Sequence, residues 1–182
     1  MQQGSEGKGS GAAGPVWAGR VEALRRAGRM DDAIGILRAR VRDAPSDISA
    51  RVWLGETLLA ANRPDLALEA FVGALRAGEP VSGALCGQGS ALAALGRPAE
   101  AALAFSAAVG LDAEDAPARH GLALLAFEAG DVEAAAAHLA RFAGAGPPPA
   151  VWLAARVALA RGDLAGAAAI VQRLAALPDL DQ

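Results

Sequence analysis

Two-residue helix breakers recur along the chain at a fixed interval. The first four stand 34 residues apart and the fifth follows after 32: Gly28-Arg29, Asn62-Arg63, Gly96-Arg97, Gly130-Asp131 and Gly162-Asp163. Gly and Asn adopt the positive φ that closes a helix more readily than other residues. Each breaker therefore predicts a turn between two helices, and the interval predicts a chain of repeated helical hairpins.

The residues around the breakers repeat with the same interval. A small residue stands five positions after each breaker: Ala33, Ala67, Ala101, Ala135 and Ala167. A larger apolar residue follows four positions later: Leu37, Phe71, Phe105, Leu139 and Val171. Another small residue precedes the last four breakers by seven positions: Gly55, Gly89, Ala123 and Ala155. Small residues let helix backbones approach closely, so these sets predict the contacts between helices.

The interval divides the chain into a tail and five units. Residues 1–13 are rich in Gly and Ser and predict a flexible tail. The predicted units are residues 14–47, 48–81, 82–115, 116–149 and 148–182, of which the first and the last are divergent. Pro45 and Pro147 stand where second helices should end.

Composition supports closely packed helices and excludes several functions. Hydrophobic residues are 53% of the chain and aromatic residues 4%, with no Tyr, so Ala, Leu and Val must fill the core. A net charge of −3 argues against nucleic-acid binding. One cysteine cannot form an internal disulfide or a zinc tetrad, and the glycines do not form a phosphate loop, so we expect no metal and no cofactor.

The chain lacks the sequence features of membrane insertion and export. Its apolar stretches are interrupted by charges or Pro, so we expect no membrane insertion. The N-terminus has no apolar segment of the length that a secretory signal requires. We expect a cytoplasmic protein, or a periplasmic one if a signal sequence was removed. The abundance of Ala, Arg and Gly, with one Lys, is typical of a GC-rich bacterial genome.

The repeated pattern resembles the tetratricopeptide repeat. The clearest unit reads RVWLGETLLAANRPDLALEAFVGAL, in which the matching residues are Leu54, Gly55, Leu58, Ala67, Phe71 and Ala74. The first unit departs from the pattern, since Arg20 and Val21 replace the usual Leu-Gly pair, although Trp17 fits. The resemblance implies an all-α, right-handed α-solenoid of about five units, with first helices on the concave side.

In the family, the fifth, ninth and twelfth residues of each unit face the concave surface. The candidate peptide-binding residues here are Val52, Glu56, Leu59, Cys86, Ser90, His120, Leu124, Phe127, Trp152, Arg156 and Leu159. A contiguous exposed apolar set of this kind favours a partner site. The alternative is that some of these side chains pack against the adjacent unit. The resemblance implies a scaffold that binds another protein and has no catalytic activity.

Charges on this surface suggest how a bound segment is oriented. Glu22 and Glu56 lie toward the N-terminal end and Arg156 toward the C-terminal end, so we expect an apolar helical or extended segment with its basic part near units one and two. Family members that clamp a terminal carboxylate use paired Lys and Asn side chains. Here the sole Lys is Lys8 in the tail and the sole Asn is Asn62 in a turn, so that clamp is absent.

Three alternatives stay open. The chain could be a chaperone or assembly factor for bacterial secretion or the cell envelope. It could be a self-assembling structural unit, because the C-terminal edge with Ala168, Val171 and Leu174 should be partly bare for lack of a capping helix. That edge could instead dimerise, contact the rest of a longer protein, or be covered by the short tail. A small hydrolase using Cys86 and His120 is the third.

Overall fold

The computed structural model describes residues 16–140 and 148–175, and these residues form ten helices and no strand. The helices are α1 (Val16–Arg26), α2 (Met30–Asp43), α3 (Ile48–Ala60), α4 (Pro64–Ala77), α5 (Ser82–Ala94), α6 (Pro98–Leu111), α7 (Ala116–Glu128), α8 (Val132–Leu139), α9 (Pro148–Ala160) and α10 (Leu164–Ala175). The predicted all-α repeat fold is confirmed. The predicted flexible tail lies outside the described residues.

Each predicted breaker closes a helix in the left-handed conformation. Gly28, Gly96, Gly130 and Gly162 have φ between 71° and 83°, and Asn62 has φ of 56°. In all five turns, the second residue of the breaker donates its N–H to the carbonyl oxygen of the residue five positions earlier, at 2.9 Å. This is the hydrogen bond of a Schellman motif, which satisfies a carbonyl that the helix leaves free.

The helices form consecutive hairpins that stack along the chain. We call α1, α3, α5, α7 and α9 the first helices and the other five the second helices. Each second helix packs against the first helix before it and, except for α10, against the first helix after it. From α3 onward, each first helix also contacts the next first helix, more extensively than successive second helices contact each other. The first helices therefore lie on the inner, concave side of the array.

Phenylalanine rings fill the interfaces in the middle of the array. Phe71 on α4 is fully buried against Gly55 of its own hairpin and Gly87 of the next. Phe105 on α6 lies in the same way between Gly89 and Gly121. A Cβ atom at Gly55 would lie 2.6 Å from the Phe71 ring, closer than carbon atoms pack. These glycines are therefore required for space within the helices and not for a turn.

In the interfaces nearer the ends, the second helix carries the smaller side chain and the next first helix carries the larger one. Leu37 replaces the phenylalanine on α2, and the position that Gly87 occupies in α5 is Trp53 in α3, packed in the same cluster. Leu139 on α8 likewise packs in one cluster with Leu153 of α9. A smaller residue on the second helix is thus matched by a larger one on the next first helix.

The last hairpin leaves part of its apolar surface uncovered. Val171 on α10, which corresponds to Phe71 and Phe105, is 44% exposed, and Ala168 is exposed as well. The side chain of Leu174 lies outside the described residues. The exposure of Val171 and Ala168 agrees with the expectation of a partly bare C-terminal edge, because no further hairpin packs on α10 within the part of the chain that the structure describes.

Candidate functional site

The concave surface consists of the exposed and half-buried side chains of the first helices. Among the eleven predicted residues, those exposed are Glu56, Trp152, Arg156 and Leu159. The half-buried ones are Val52, Leu59, Ser90, His120, Leu124 and Phe127. Cys86 is buried, with 8% of its surface exposed, so it offers little area to a partner.

The half-buried apolar residues serve both the core and the surface. Val52 and Leu59 pack against the cluster that contains Phe71. Leu124 and Phe127 pack against the cluster around Leu139. One side of each residue therefore packs against the interior, as the packing interpretation predicted, while the other side remains accessible.

The C-terminal end of the concave surface is the most open and the most aromatic. Trp152 and Leu159 on α9 are 56% and 54% exposed. Arg156, between them on the same helical face, places its guanidinium carbon 4.7 Å from the centroid of the Phe127 ring on α7. A cation over an aromatic face is held by the ring quadrupole. This contact connects two neighbouring hairpins across the concave surface.

The N-terminal end has a similar pair with a different charge balance. Trp17 and Trp53 meet edge to face, with centroids 5.6 Å apart, and the guanidinium of Arg25 lies 5.9 Å from the centroid of Trp53. Arg25 also pairs with Glu56 at 3.6 Å between nitrogen and oxygen. The positive charge of this arginine is thus compensated within the protein.

The acidic residues expected to attract a basic segment are already paired with arginines. Glu56 pairs with Arg25, and Glu22 pairs with Arg26 at 3.1 Å. The N-terminal end of the concave surface therefore carries less net negative charge than the two glutamates suggest in the sequence. These ion pairs were not predicted from the sequence, because the repeat places each arginine on its helix but does not show which carboxylate its side chain contacts.

Sequence reasoning also missed Trp53 as part of this end. It stands one residue after Val52 and thus outside the periodic set that was assigned to the concave surface. Its size was the available signal, because the corresponding positions in the two following units are Gly87 and Gly121. A large aromatic residue where neighbouring units have glycine indicates a different interface.

Burial shifts the pKa values of both Cys86 and His120, the two residues of the hydrolase alternative. Burial, together with the negative charges of Asp115 and Glu56, raises the pKa of the Cys86 thiol to about 12. An activated cysteine requires the opposite shift. Burial also lowers the pKa of His120, partly offset by a hydrogen bond to the backbone carbonyl of Pro149. The raised pKa of Cys86 argues against the hydrolase alternative.

Neither a metal site nor a membrane span is found in the described residues. Within residues 16–140 and 148–175, no group of three or more His, Cys, Asp and Glu side chains could hold a metal ion. In the same ranges, every helix is too short or too polar to cross a bilayer. The exposed and half-buried side chains of the concave surface are mostly aromatic, aliphatic and charged.

Stacked helical hairpins with a concave row of side chains define a helical repeat scaffold. The pattern of one family, the tetratricopeptide repeat, matches residues 18–82, 54–116, 86–148 and 120–181. The chain belongs to the tetratricopeptide repeat family. Proteins of this family bind other proteins or peptides, so the chain is a protein-interaction scaffold of this type.

Solved structures share the fold at low sequence identity. The chain is similar to TTC0263, a tetratricopeptide repeat protein of Thermus thermophilus, with a TM-score of 0.77 and 23% identity over 91% of this chain and 92% of that one. It is similar to PilW, a type IV pilus biogenesis factor, with a TM-score of 0.75 and 21% identity over 91% and 78%. No curated protein sequence matches it.

A third similar structure is YrrB, a tetratricopeptide repeat protein with an unusual peptide-binding site. Its TM-score is 0.61, and the two sequences are 19% identical over 90% of this chain and 86% of that one. At these identities the structural matches show a common fold.

Proposed function

We propose that the chain binds an apolar segment of another protein, helical or extended, along its concave surface. The observation that carries the proposal is the exposure of Trp152 and Leu159, each more than half in water, beside the half-buried Leu124 and Phe127. Exposed aromatic and aliphatic side chains on one face are typical of interaction sites. The peptide-binding neighbour YrrB has the same fold, which supports this mode of action.

The concave surface determines the length of the segment that it can hold. Neighbouring packed helices lie about 10 Å apart, so three steps from α3 to α9 span roughly 30 Å. An extended chain covers this distance with about nine residues. A segment of about nine to twelve residues could therefore contact both aromatic ends. We retain the orientation with its basic part near α1 and α3, although the pairing of Glu22 and Glu56 leaves that end a weaker attraction.

Capture of partners from a lysate of the source organism tests this function. The test variant combines Trp152→Ala and Leu159→Ala, which remove exposed apolar surface without opening the core. The matched control combines Leu103→Ala and Leu111→Ala on α6, whose side chains are 72% and 55% exposed away from the concave row. We expect partners that bind the wild type and the control but not the test variant. Equal capture by all three proteins would refute binding through the concave surface.

A chaperone or assembly factor would use the same surface. In that role the chain would shield the apolar segment of a secretion or envelope client until the client assembles. The similarity to PilW, a pilus biogenesis factor, motivates this version of the proposal. It predicts that the captured partner aggregates when it is produced without the chain and stays in solution with it. A partner with the same solubility in both conditions would exclude this role.

Self-assembly is a second candidate function because Leu164 and Val171 on α10 are exposed at the C-terminal edge. Association through this edge would lengthen the array or form a dimer. Sedimentation velocity of the wild type and of Leu164→Asp would test it. Association of the wild type that the substitution abolishes is the expected result, and a monomer at all concentrations would exclude this candidate.

A further inference from the structure

Two arginines lie over aromatic rings on the concave surface, and they differ in their partners. Arg25, over Trp53, has Glu56 as a counter-charge at 3.6 Å. Arg156, over Phe127, makes no ion pair or hydrogen bond with any other residue in the described part of the chain. The arginine at the N-terminal end, Arg25, therefore has a carboxylate partner. The arginine at the C-terminal end, Arg156, has none among the described residues.

The contact with Phe127 prepares the guanidinium of Arg156 for an anion. A guanidinium is planar, and its N–H groups point outward in the plane, so a guanidinium over a ring makes no hydrogen bond to the ring carbons and keeps these donors for another group. The donors match the geometry of a carboxylate, which can accept two parallel hydrogen bonds. Because the ring contact restrains the long side chain, less conformational entropy is lost when a carboxylate binds.

The surroundings of Arg156 indicate what stands beside that carboxylate. Trp152 lies one turn before it and Leu159 one turn after it on the same face of α9, and both are more than half exposed. These side chains provide apolar area on either side of the charge. A partner residue next to the carboxylate would thus be large and apolar, since it would cover one of them.

We propose that the bound segment carries an aspartate or glutamate next to a large apolar residue, and that its carboxylate binds Arg156 at the C-terminal end of the concave surface. This inference rests on the proposed function, since it names the chemistry of the segment that the concave surface holds. The carboxylate belongs to a side chain of the partner. The recognition element is an arginine on an aromatic ring, with a hydrophobic contact on each side.

Selection from a library of random twelve-residue peptides displayed on phage tests the proposal. The library is selected against the wild type, against Arg156→Gln and against the control Arg38→Gln, which removes an exposed arginine of α2. We expect peptides with large apolar residues from all three. An acidic residue next to one of them should be enriched with the wild type and with Arg38→Gln, and this enrichment should be lost with Arg156→Gln.

The enriched peptide then allows a quantitative test in solution. Replacing its acidic residue by the corresponding amide should weaken binding to the wild type about tenfold, the loss typical of a charge-assisted hydrogen bond. The same replacement should change binding to Arg156→Gln by less than about twofold, because the partner of the carboxylate is already absent. Arg156→Lys, which keeps the charge but not the planar donors, should give an intermediate loss.

The outcomes separate this proposal from the function on which it rests. Enrichment of apolar residues without an acidic residue would overturn the proposal and leave the proposed function intact. Enrichment of an acidic residue that persists with Arg156→Gln would also overturn it. If no apolar peptide were enriched with the wild type, the proposed function would fail, and this proposal with it.

Discussion

The interfaces in the middle of the array and those at its ends fill the same space in different ways. In the middle, Phe71 and Phe105 occupy room that glycines leave on the first helices on both sides. Toward the ends, Leu37 and Leu139 leave more room, and Trp53 and Leu153 on the next first helices fill it. The second helices thus fill most of the interface volume in the middle of the array, and the first helices fill more of it toward the ends.

This difference teaches where the chain can present side chains to a partner. The central first helix, α5, carries small residues, and its buried Cys86 and half-buried Ser90 leave that part of the concave surface with few large side chains. First helices toward the ends carry Trp53 and Trp152. The aromatic residues of the concave surface therefore lie toward its two ends, and the side chains between them are smaller.

The largest expected difference in stability is between truncations of the large apolar residue at the same repeat position, Phe71 in the middle and Val171 at the C-terminal end. We expect Phe71→Ala to lower the free energy of unfolding by about 3–5 kcal/mol, because it leaves a cavity between Gly55 and Gly87. Val171→Ala should cost less than about 1 kcal/mol, since nearly half of that side chain is already in water. Urea denaturation followed by circular dichroism measures both, and equal losses would contradict the comparison.

A methyl group added to the middle interface should have the next largest effect. Gly87→Ala should lower the free energy of unfolding by about 1–3 kcal/mol, because the new Cβ would meet the Phe71 ring. The control is Gly35→Ala in α2, where nothing lies within 4 Å of the added Cβ. It should raise the free energy of unfolding by about 0.5–1 kcal/mol through helix propensity.

The same site permits a test of size compensation. Combining Gly87→Ala with Phe71→Leu should recover part of the stability that Gly87→Ala loses, because the smaller side chain makes room for the methyl group. Losses that simply add would show that the ring and the glycine are not matched in size. Urea denaturation of the single and double variants measures this coupling.

Helix capping should show a smaller difference between the middle and the end. Asp115, buried at the start of α7, accepts the N–H of Ala118 at 2.9 Å, and the exposed Asp163 before α10 accepts that of Gly166 at 2.8 Å. Asp115→Ala should cost about 1–2 kcal/mol and Asp163→Ala about 0.5 kcal/mol. Asp115→Asn, which retains the acceptor, serves as the control in thermal denaturation. A larger loss at Asp163 would go against the account.

The last effect concerns the alkaline stability of the middle region. The folded state holds the pKa of Cys86 above its ordinary value, at about 12, so folding favours the neutral thiol. Its contribution to stability is complete below the ordinary pKa and is lost as the pH rises through the window up to about 12. At about pH 10 the loss should be about 1 kcal/mol.

This alkaline loss can be measured with little interference. The chain has no Tyr, and its sole Lys is Lys8, so few other side chains titrate in the same window. Urea denaturation of the wild type and of Cys86→Ala at about pH 8 and about pH 10 gives the difference. Stability that falls equally in both proteins would show that Cys86 is not responsible.

The repeated features of the fold could be predicted from the sequence. Breaker residues and the small and large apolar residues at fixed distances from them predict the turns and the buried faces of the helices within the array, as Gly28, Ala33 and Leu37 confirm. On the last helix the corresponding Val171 is 44% exposed. The period is sufficient because each unit meets its neighbours in the same geometry.

The non-repeated features could not be predicted from the period. Whether a concave residue is buried like Cys86 or open like Trp152 depends on the sizes of the side chains around it in neighbouring helices. The contact between Arg156 and Phe127 likewise joins two hairpins through a long side chain whose direction the period does not determine. The predicted set of site residues thus indicated which face of the first helices to consider. The structure shows how exposed each side chain is and which charged groups it contacts.

The most direct test of binding along the concave surface follows the indole N–H signals of the three tryptophans by nuclear magnetic resonance. The peptide enriched with the wild type is added stepwise to the labelled protein. The signal of Trp152 should shift to saturation, and the same peptide should leave it in place in the variant with Leu159→Ala and Arg156→Gln. A peptide that binds without moving the Trp152 signal would contradict the account.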